Sequence, residues 1–196
     1  MDDTIFRTIL IIGAVVLFPV GIYHRVKSQA TGEPLDRWQE GRFILFTLRP
    51  IGLATMAGLL AYMAYPQWMA WSSLNLPSWL RWVGVALACA GGLLLVWAFR
   101  SLGPNLTDTV VTRRKHTLVT KGPYRWVRHP FYDAVLLSTV GNGLAAANWF
   151  LIGAGITAVF LLVIRTAREE ERLLARFGDA YRSYAARTGR FLPKIG

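Results

Sequence analysis

The lysines and arginines of this 196-residue chain fall in a pattern suited to a polypeptide threaded back and forth through a membrane. Five apolar stretches, residues 4–23, 43–65, 79–99, 131–147 and 149–164, leave four connections and a tail. The first connection carries Arg25, Lys27, Arg37 and Arg42, whereas the second, residues 66–78, carries no basic residue. The third carries Arg100, Arg113, Arg114, Lys115, Lys121, Arg125 and Arg128, and the turn at Asn148 carries none. Arg165, Arg168, Arg172, Arg176, Arg182, Arg187, Arg190 and Lys194 follow the last stretch. Basic loops alternating with empty ones obey the positive-inside rule. The pattern predicts an N-terminus outside and a cytoplasmic C-terminus, in a bacterial plasma membrane or an endoplasmic reticulum.

Composition agrees. The chain is 54% apolar and 17% charged, with a mean hydropathy of +0.36. Soluble domains average about a quarter charged residues. The net charge of +11 would suggest nucleic acid on a soluble protein, but topology accounts for most of it here, so no nucleic-acid partner is expected. The single cysteine, Cys89, cannot form an intramolecular bridge.

A spanning helix needs about 20 apolar residues, with roughly 17 as the lower limit. The first three stretches qualify. The last two are short and separated almost only by Asn148, which reads as a tight helical hairpin. Asp2 and Asp3 are acidic where a signal peptide is basic, and no small-x-small cleavage site follows, so the first stretch reads as a retained helix. The expected fold is an all-α integral membrane protein of about five transmembrane helices, the last two a hairpin, with a cytoplasmic C-terminal amphipathic helix. Trp68, Trp71, Trp79 and Trp149 flank the uncharged connections as interfacial belt residues do. Arg49, beside Pro50, either snorkels to the interface or faces a polar cavity. The small-residue run 86–92 suits close helix packing.

The residues with chemistry to offer lie in two clusters. In the first, residues 118–132, Gly122-Pro123 is a turn signal and Pro130 fits the first turn of a helix. Such a helix start offers unpaired backbone N–H groups to a polar or anionic ligand, with His129 immediately before it. Asp133, one turn into that helix, needs a partner such as Arg128 or Arg49, or caps the helix start. In the second cluster, Arg165-Thr-Ala-Arg-Glu-Glu-Glu-Arg172 precedes Leu173, Leu174, Phe177, Gly178, Tyr181 and Tyr184. The apolar residues recur at helical spacing, and Gly178 marks a possible kink or break. With Phe177 at zero and about 100° per residue, Glu170 falls near 20°, within the apolar face. A carboxylate there must be paired or must face a ligand.

Together the clusters resemble a known family. Gly-Pro-Tyr-x-x-x-Arg-His-Pro-x-Tyr at 122–132, Arg-x-x-x-Glu-Glu at 165–170 and Leu-x-x-x-Phe-Gly-x-x-Tyr-x-x-Tyr at 173–184 are similar to the isoprenylcysteine carboxyl methyltransferases and the related phospholipid methyltransferases. The resemblance covers about residues 102–193. It implies S-adenosyl-L-methionine-dependent methyl transfer to a lipophilic or lipidated acceptor, an isoprenylcysteine-type carboxylate or a lipid amine, with no metal. It further implies that Leu118, Val119, Gly122, Tyr124, Arg128, His129, Tyr132 and Glu170 bind the cofactor, and that Arg165 and Glu169 are catalytic. Residues 101–196 would then form the cofactor-binding and catalytic half, and residues 1–100 would shape the acceptor tunnel. Where the family commonly has a glycine near position 134, this chain has Asp133-Ala134. Two other functions stay open on the sequence. One is an NADPH-dependent membrane sterol-type reductase, whose family carries a similar Arg-His-Pro-x-Tyr segment; the other is a non-catalytic membrane scaffold. Neither the acceptor nor the oligomeric state is readable.

Overall fold

A computed structural model describes residues 3–29, 42–103 and 117–194. Of the loop charges read above, Arg37, Arg113, Arg114 and Lys115 lie outside the described residues. Among the described residues the fold is all-helical. Its α-helices are α1 (Asp3–Gln29), α2 (Arg42–Ala64), α3 (Ser78–Leu102), α4 (Pro130–Ala145), α5 (Trp149–Phe177) and α6 (Asp179–Arg187). Two 3-10 segments, Pro66–Ser72 and Gly122–Arg125, lie in the connections.

Among the described residues, four helices are long and apolar enough to cross a membrane: Asp3–His24 within α1, Phe46–Ala64 within α2, and the whole of α3 and α5. The fourth apolar stretch falls short of the expected fifth span. At 16 residues, α4 is about 24 Å long, against a hydrocarbon core of about 30 Å. Its bounds have local causes. Pro130 occupies the first turn. At the other end Ala147 turns the chain through a positive φ of 49°, and the Asn148 side chain caps α5 by accepting from Leu151 N at 3.1 Å. Residues 146–148 are therefore consumed by the hairpin turn.

The helices run alternately up and down. Arg7 near the start of α1 donates to the carbonyls of Met63 and Ala64 at the end of α2, both at 2.7 Å. Arg81 near the start of α3 reaches Asp3 Oδ1 at 2.6 Å and the Ala145 carbonyl, at the end of α4, at 3.0 Å. These contacts define one end of the bundle, where Leu10, Tyr62, Met69 and Leu151 form the apolar core. Helices α3 and α4 are in the closest contact. A Cβ at Gly84 would lie 2.5 Å from Ala145 N, and one at Gly91 would lie 2.5 Å from Ser138 Oγ. At Gly91 this is the close packing expected of the 86–92 run, and Gly84, just ahead of it, extends the stretch where two backbones approach and larger residues would hold them apart. Ala134, fully buried, sits against the same α3 surface, its carbonyl 2.9 Å from a Cβ built at Gly91. At that position the close backbone approach is to α3.

The apolar exterior fits a lipid environment. Val15, Leu53, Leu93 and Phe160 are 63–73% exposed on four different helices, more apolar surface than a protein in water leaves uncovered. Cys89 and Arg49 are also exposed.

Candidate active site

The other end of the bundle gathers the two sequence clusters. The 3-10 turn Gly122–Arg125 rests on the end of α3. Gly122 has a positive φ of 63°, and a Cβ there would collide with the Ser101 side chain. Both constraints favour glycine, one by conformation and one by space. From this turn the chain enters α4 through Arg128 and His129.

Helix α5 continues unbroken past its apolar part to Phe177, carrying Arg165 and, one turn later, the adjacent Glu169 and Glu170. Gly178, at φ 52°, then ends it, and α6 starts in a new direction. The break expected at Gly178 is present, so a single helical wheel does not extend to Tyr181 and Tyr184. Those tyrosines are buried, and α6 folds back on the first cluster. The Tyr184 hydroxyl donates to the Tyr124 carbonyl at 2.7 Å. Burial pushes the Tyr184 phenol up to about 12, which keeps it a donor. Burial, then the nearby Glu169 charge, likewise raises Tyr124.

After α6 the chain returns alongside residues 126–129. Arg128 N donates to Gly189 O at 2.8 Å, Gly189 N to Trp126 O at 3.1 Å, and His129 N to Arg190 O at 3.1 Å. Gly189 allows the tight turn, because a Cβ there would overlap the Leu192 carbonyl. This pairing brings Arg190 over the site.

Glu170 is the hub. Its Oε1 accepts from Arg128 Nε at 2.9 Å and lies 3.1 Å from His129 Nε2. Arg190 donates to Oε2 through Nη2 at 2.5 Å and to Oε1 through Nε at 3.3 Å. Charge-assisted bonds of this kind are shorter and stronger than neutral ones. The bonds to Glu170 hold the Arg190 guanidinium above its ordinary value. Arg128 also binds the carbonyls of Ala185 at 3.1 Å and Thr188 at 2.5 Å through Nη1, which ties the end of α6 to the hub.

On the adjacent position of α5, Glu169 Oε2 accepts from the Tyr132 hydroxyl at 2.7 Å. Buried Arg165 stands close enough to the same hydroxyl to act on it electrostatically. His129 stacks on Tyr132 with centroids 5.3 Å apart and planes 7° apart, and Phe191 covers its other flank at 5.8 Å.

The structure therefore unites Arg128, His129, Tyr132, Arg165, Glu169 and Glu170, with Tyr124 one layer away. Leu118 and Val119 are half-buried just ahead of the Gly122 turn, and no hydrogen bond among the described residues joins them to the Glu170 hub. Of the three roles considered for Asp133, two are not taken. Arg128 turns to Glu170 instead, and α4 begins without a side-chain cap. Arg190 was missed in the sequence reading, where it stood among eight tail charges with no motif to single it out.

A bundle of membrane-length helices with an ionic, aromatic-walled cluster at one end is an integral membrane protein with a polar site at its boundary. Residues 82–175, just under half of the chain, match the model of the Isoprenylcysteine carboxyl methyltransferase (ICMT) family, to which this stretch is similar. The match begins inside α3, well before the first motif. Protein-S-isoprenylcysteine O-methyltransferase of Homo sapiens is 30% identical over 128 residues, 64% of this chain and 45% of that protein. Nickel-cobalt-cadmium resistance protein NccN of Alcaligenes xylosoxydans xylosoxydans is 32% identical over 115 residues, 58% of this chain and 53% of that protein. The chain thus spans about half the length of the curated relatives it matches. A solved structure of the eukaryotic intramembrane Ras methyltransferase (isoprenylcysteine carboxyl methyltransferase) shares the fold, with a TM-score of 0.57 at 23% identity, covering 89% of this chain and 63% of that one.

Proposed function

We propose that this protein transfers a methyl group from S-adenosyl-L-methionine to a lipophilic or lipidated acceptor, an isoprenylcysteine-type carboxylate or a lipid amine. The observation that carries the reading is the meeting of Arg128, His129 and Arg190 on Glu170, beside Tyr132, Glu169 and Arg165. The donor set fits the cofactor's chemistry. Guanidinium groups suit its carboxylate, glutamates suit its ammonium group, and the His129–Tyr132 stack offers aromatic faces to a cation. When bound, the cofactor supplies a methyl group already activated as a sulfonium.

The chain's own part is positioning. Arg128, His129, Tyr132 and Glu170 bind the cofactor, aided by Leu118, Val119, Gly122 and Tyr124 along the preceding segment. Arg165 orients the acceptor's reacting group, and alignment of two reactants can supply several kcal/mol of the barrier. Glu169, held by the Tyr132 hydroxyl, accepts the proton that an amine acceptor must lose. Residues 101–196 form this catalytic half, and residues 1–100 shape the route of the acceptor from the bilayer. We read the hairpin of α4 and α5 as the last crossing pair, α4 being a helix shorter than the hydrocarbon core whose connections complete the fourth of five crossings. The charge alternation supports a cytoplasmic Glu170 end, in a bacterial plasma membrane or an endoplasmic reticulum.

Calorimetric titration of the detergent-purified protein with S-adenosylhomocysteine, with NADPH as control, tests this reading. Saturable binding of the first ligand, weakened at least about tenfold in Glu170→Gln, is expected. Arg165→Ala and Glu169→Gln should bind normally and fail to turn over. Binding of NADPH alone, or of neither ligand by folded protein, would overturn the reading.

A further inference from the structure

At the end of the bundle opposite Glu170, a cavity of about 450 Å³ opens among the starts of α1 and α3, the end of α2 and the hairpin turn. A volume of this order accommodates a small ligand or a lipid head group. Among the described residues, Asp3 and Arg81 are the charged members of its lining, and Tyr62 and Asn148 are among the polar ones. Arg81 is only 7% exposed and Tyr62 5%, so both are held within the protein.

Their hydrogen bonding is incomplete. Arg81 spends Nη1 on Asp3 and Nε on the Ala145 carbonyl, but its buried Nη2 has no partner among the described residues. The Tyr62 hydroxyl faces the same guanidinium closely enough to interact with it as an acceptor, and beyond that contact it has no hydrogen-bond partner among the described residues. Asn148, by contrast, is fully used: Nδ2 bonds Ser72 and Met69, and Oδ1 takes the Leu151 N–H. Even with the guanidinium turned to the Tyr62 oxygen, Nη2 keeps a second hydrogen and the hydroxyl keeps its own; native proteins pair nearly all buried polar groups, so these two unspent donors beside one cavity point to an acceptor oxygen supplied from outside the chain.

Position and charge narrow that acceptor. Exposed Trp68, Trp71, Trp79 and Trp149 cluster at this end, with Trp71 and Trp149 in edge contact at 5.3 Å. Tryptophans in such a belt sit at the depth of lipid head groups. The Asp3 carboxylate, 2.6 Å from Arg81, offsets its charge and disfavours a bare anion. A group carrying both signs suits the pair better, its phosphate near Arg81 and Tyr62 and its ammonium near the solvent-facing Asp3.

We propose that this cavity binds the phosphate-bearing head group of a zwitterionic membrane phospholipid through Arg81 and Tyr62. The site is separate from methyl transfer and does not depend on that reading. Native mass spectrometry of the whole detergent-solubilised chain tests it, with phosphatidylethanolamine, phosphatidylglycerol and inorganic phosphate added in turn. Retention of phosphatidylethanolamine is expected, weakened about tenfold in Tyr62→Phe, the loss of one hydrogen bond to a charged group. Tyr62→Phe removes only the hydroxyl and keeps the ring, so its thermal unfolding should match the parent and show the variant folded. Arg81→Gln should lower retention further. Equal retention by the parent and a folded Tyr62→Phe would overturn the proposal, as would equal uptake of the two lipids. Binding of inorganic phosphate without lipid, or of no probe, would overturn it too.

Discussion

The two ends of the bundle are closed by different chemistry. At the hairpin end the key residue is neutral: Asn148, 1% exposed, ties Ser72, Met69 and the first turn of α5 together. At the other end the key residue is Glu170, a carboxylate with 15% of its side chain exposed, on which two arginines and a histidine converge. Neutral hydrogen bonds satisfy a buried turn at little desolvation cost. A charged hub costs more to bury and is weak evidence for stability alone. A protein that needed only to close its bundle at this end could do so with the first kind, so the ionic hub marks ligand chemistry of its own, distinct from the head-group site at the hairpin end.

This contrast can be broken by mutation. Arg128→Ala should have the largest effect, about 3 kcal/mol, because it strips a partner from a largely buried carboxylate and leaves two carbonyls without their donor. Thermal unfolding in detergent measures the loss, and S-adenosylhomocysteine affinity should fall with it. Asn148→Ala should cost about 2 kcal/mol through the lost cap and the orphaned Ser72 contact. Its S-adenosylhomocysteine affinity should stay at the parental value. If that affinity fell as well, the two ends would be coupled and the division drawn here would fail. Arg190→Ala should be the mildest in stability, about 1 kcal/mol or less, since its side chain is 45% exposed and screened by solvent. Raising the salt concentration should shrink the Arg190 effect more than the Arg128 effect. Equal salt sensitivity would show that Arg190 is as dry as Arg128.

What the sequence reveals depends on whether a residue's role is local. Apolar runs and loop charges mark the long helices because burial in lipid is decided stretch by stretch. The limits of α4 are foreshadowed by Pro130 and Asn148, but the turn at residues 146–148 takes apolar alanines that read as part of a span. Glu170 stands out because a carboxylate on an apolar helical face demands partners, although the wheel that showed this ran across a helix break at Gly178. Its partners depend on tertiary contacts. Nothing distinguishes Arg190 from the other basic tail residues until the pairing of residues 126–129 with 189–190 brings it home. Arg81 is equally silent, an arginine near the edge of an apolar stretch whose roles lie on α1 and α4.

The pairing of Arg128 with Gly189 also sets an order of events during synthesis. Chains emerge from the ribosome N-terminus first, and early segments settle before late ones exist. Helices α1 to α3 and the seal at Asn148 involve residues made before the second half of α5. Glu170 receives Arg128 and His129 from behind it, and then waits for Arg190, made twenty residues later. The ionic hub is thus a finishing step, assembled only in a molecule whose earlier helices have already been laid down.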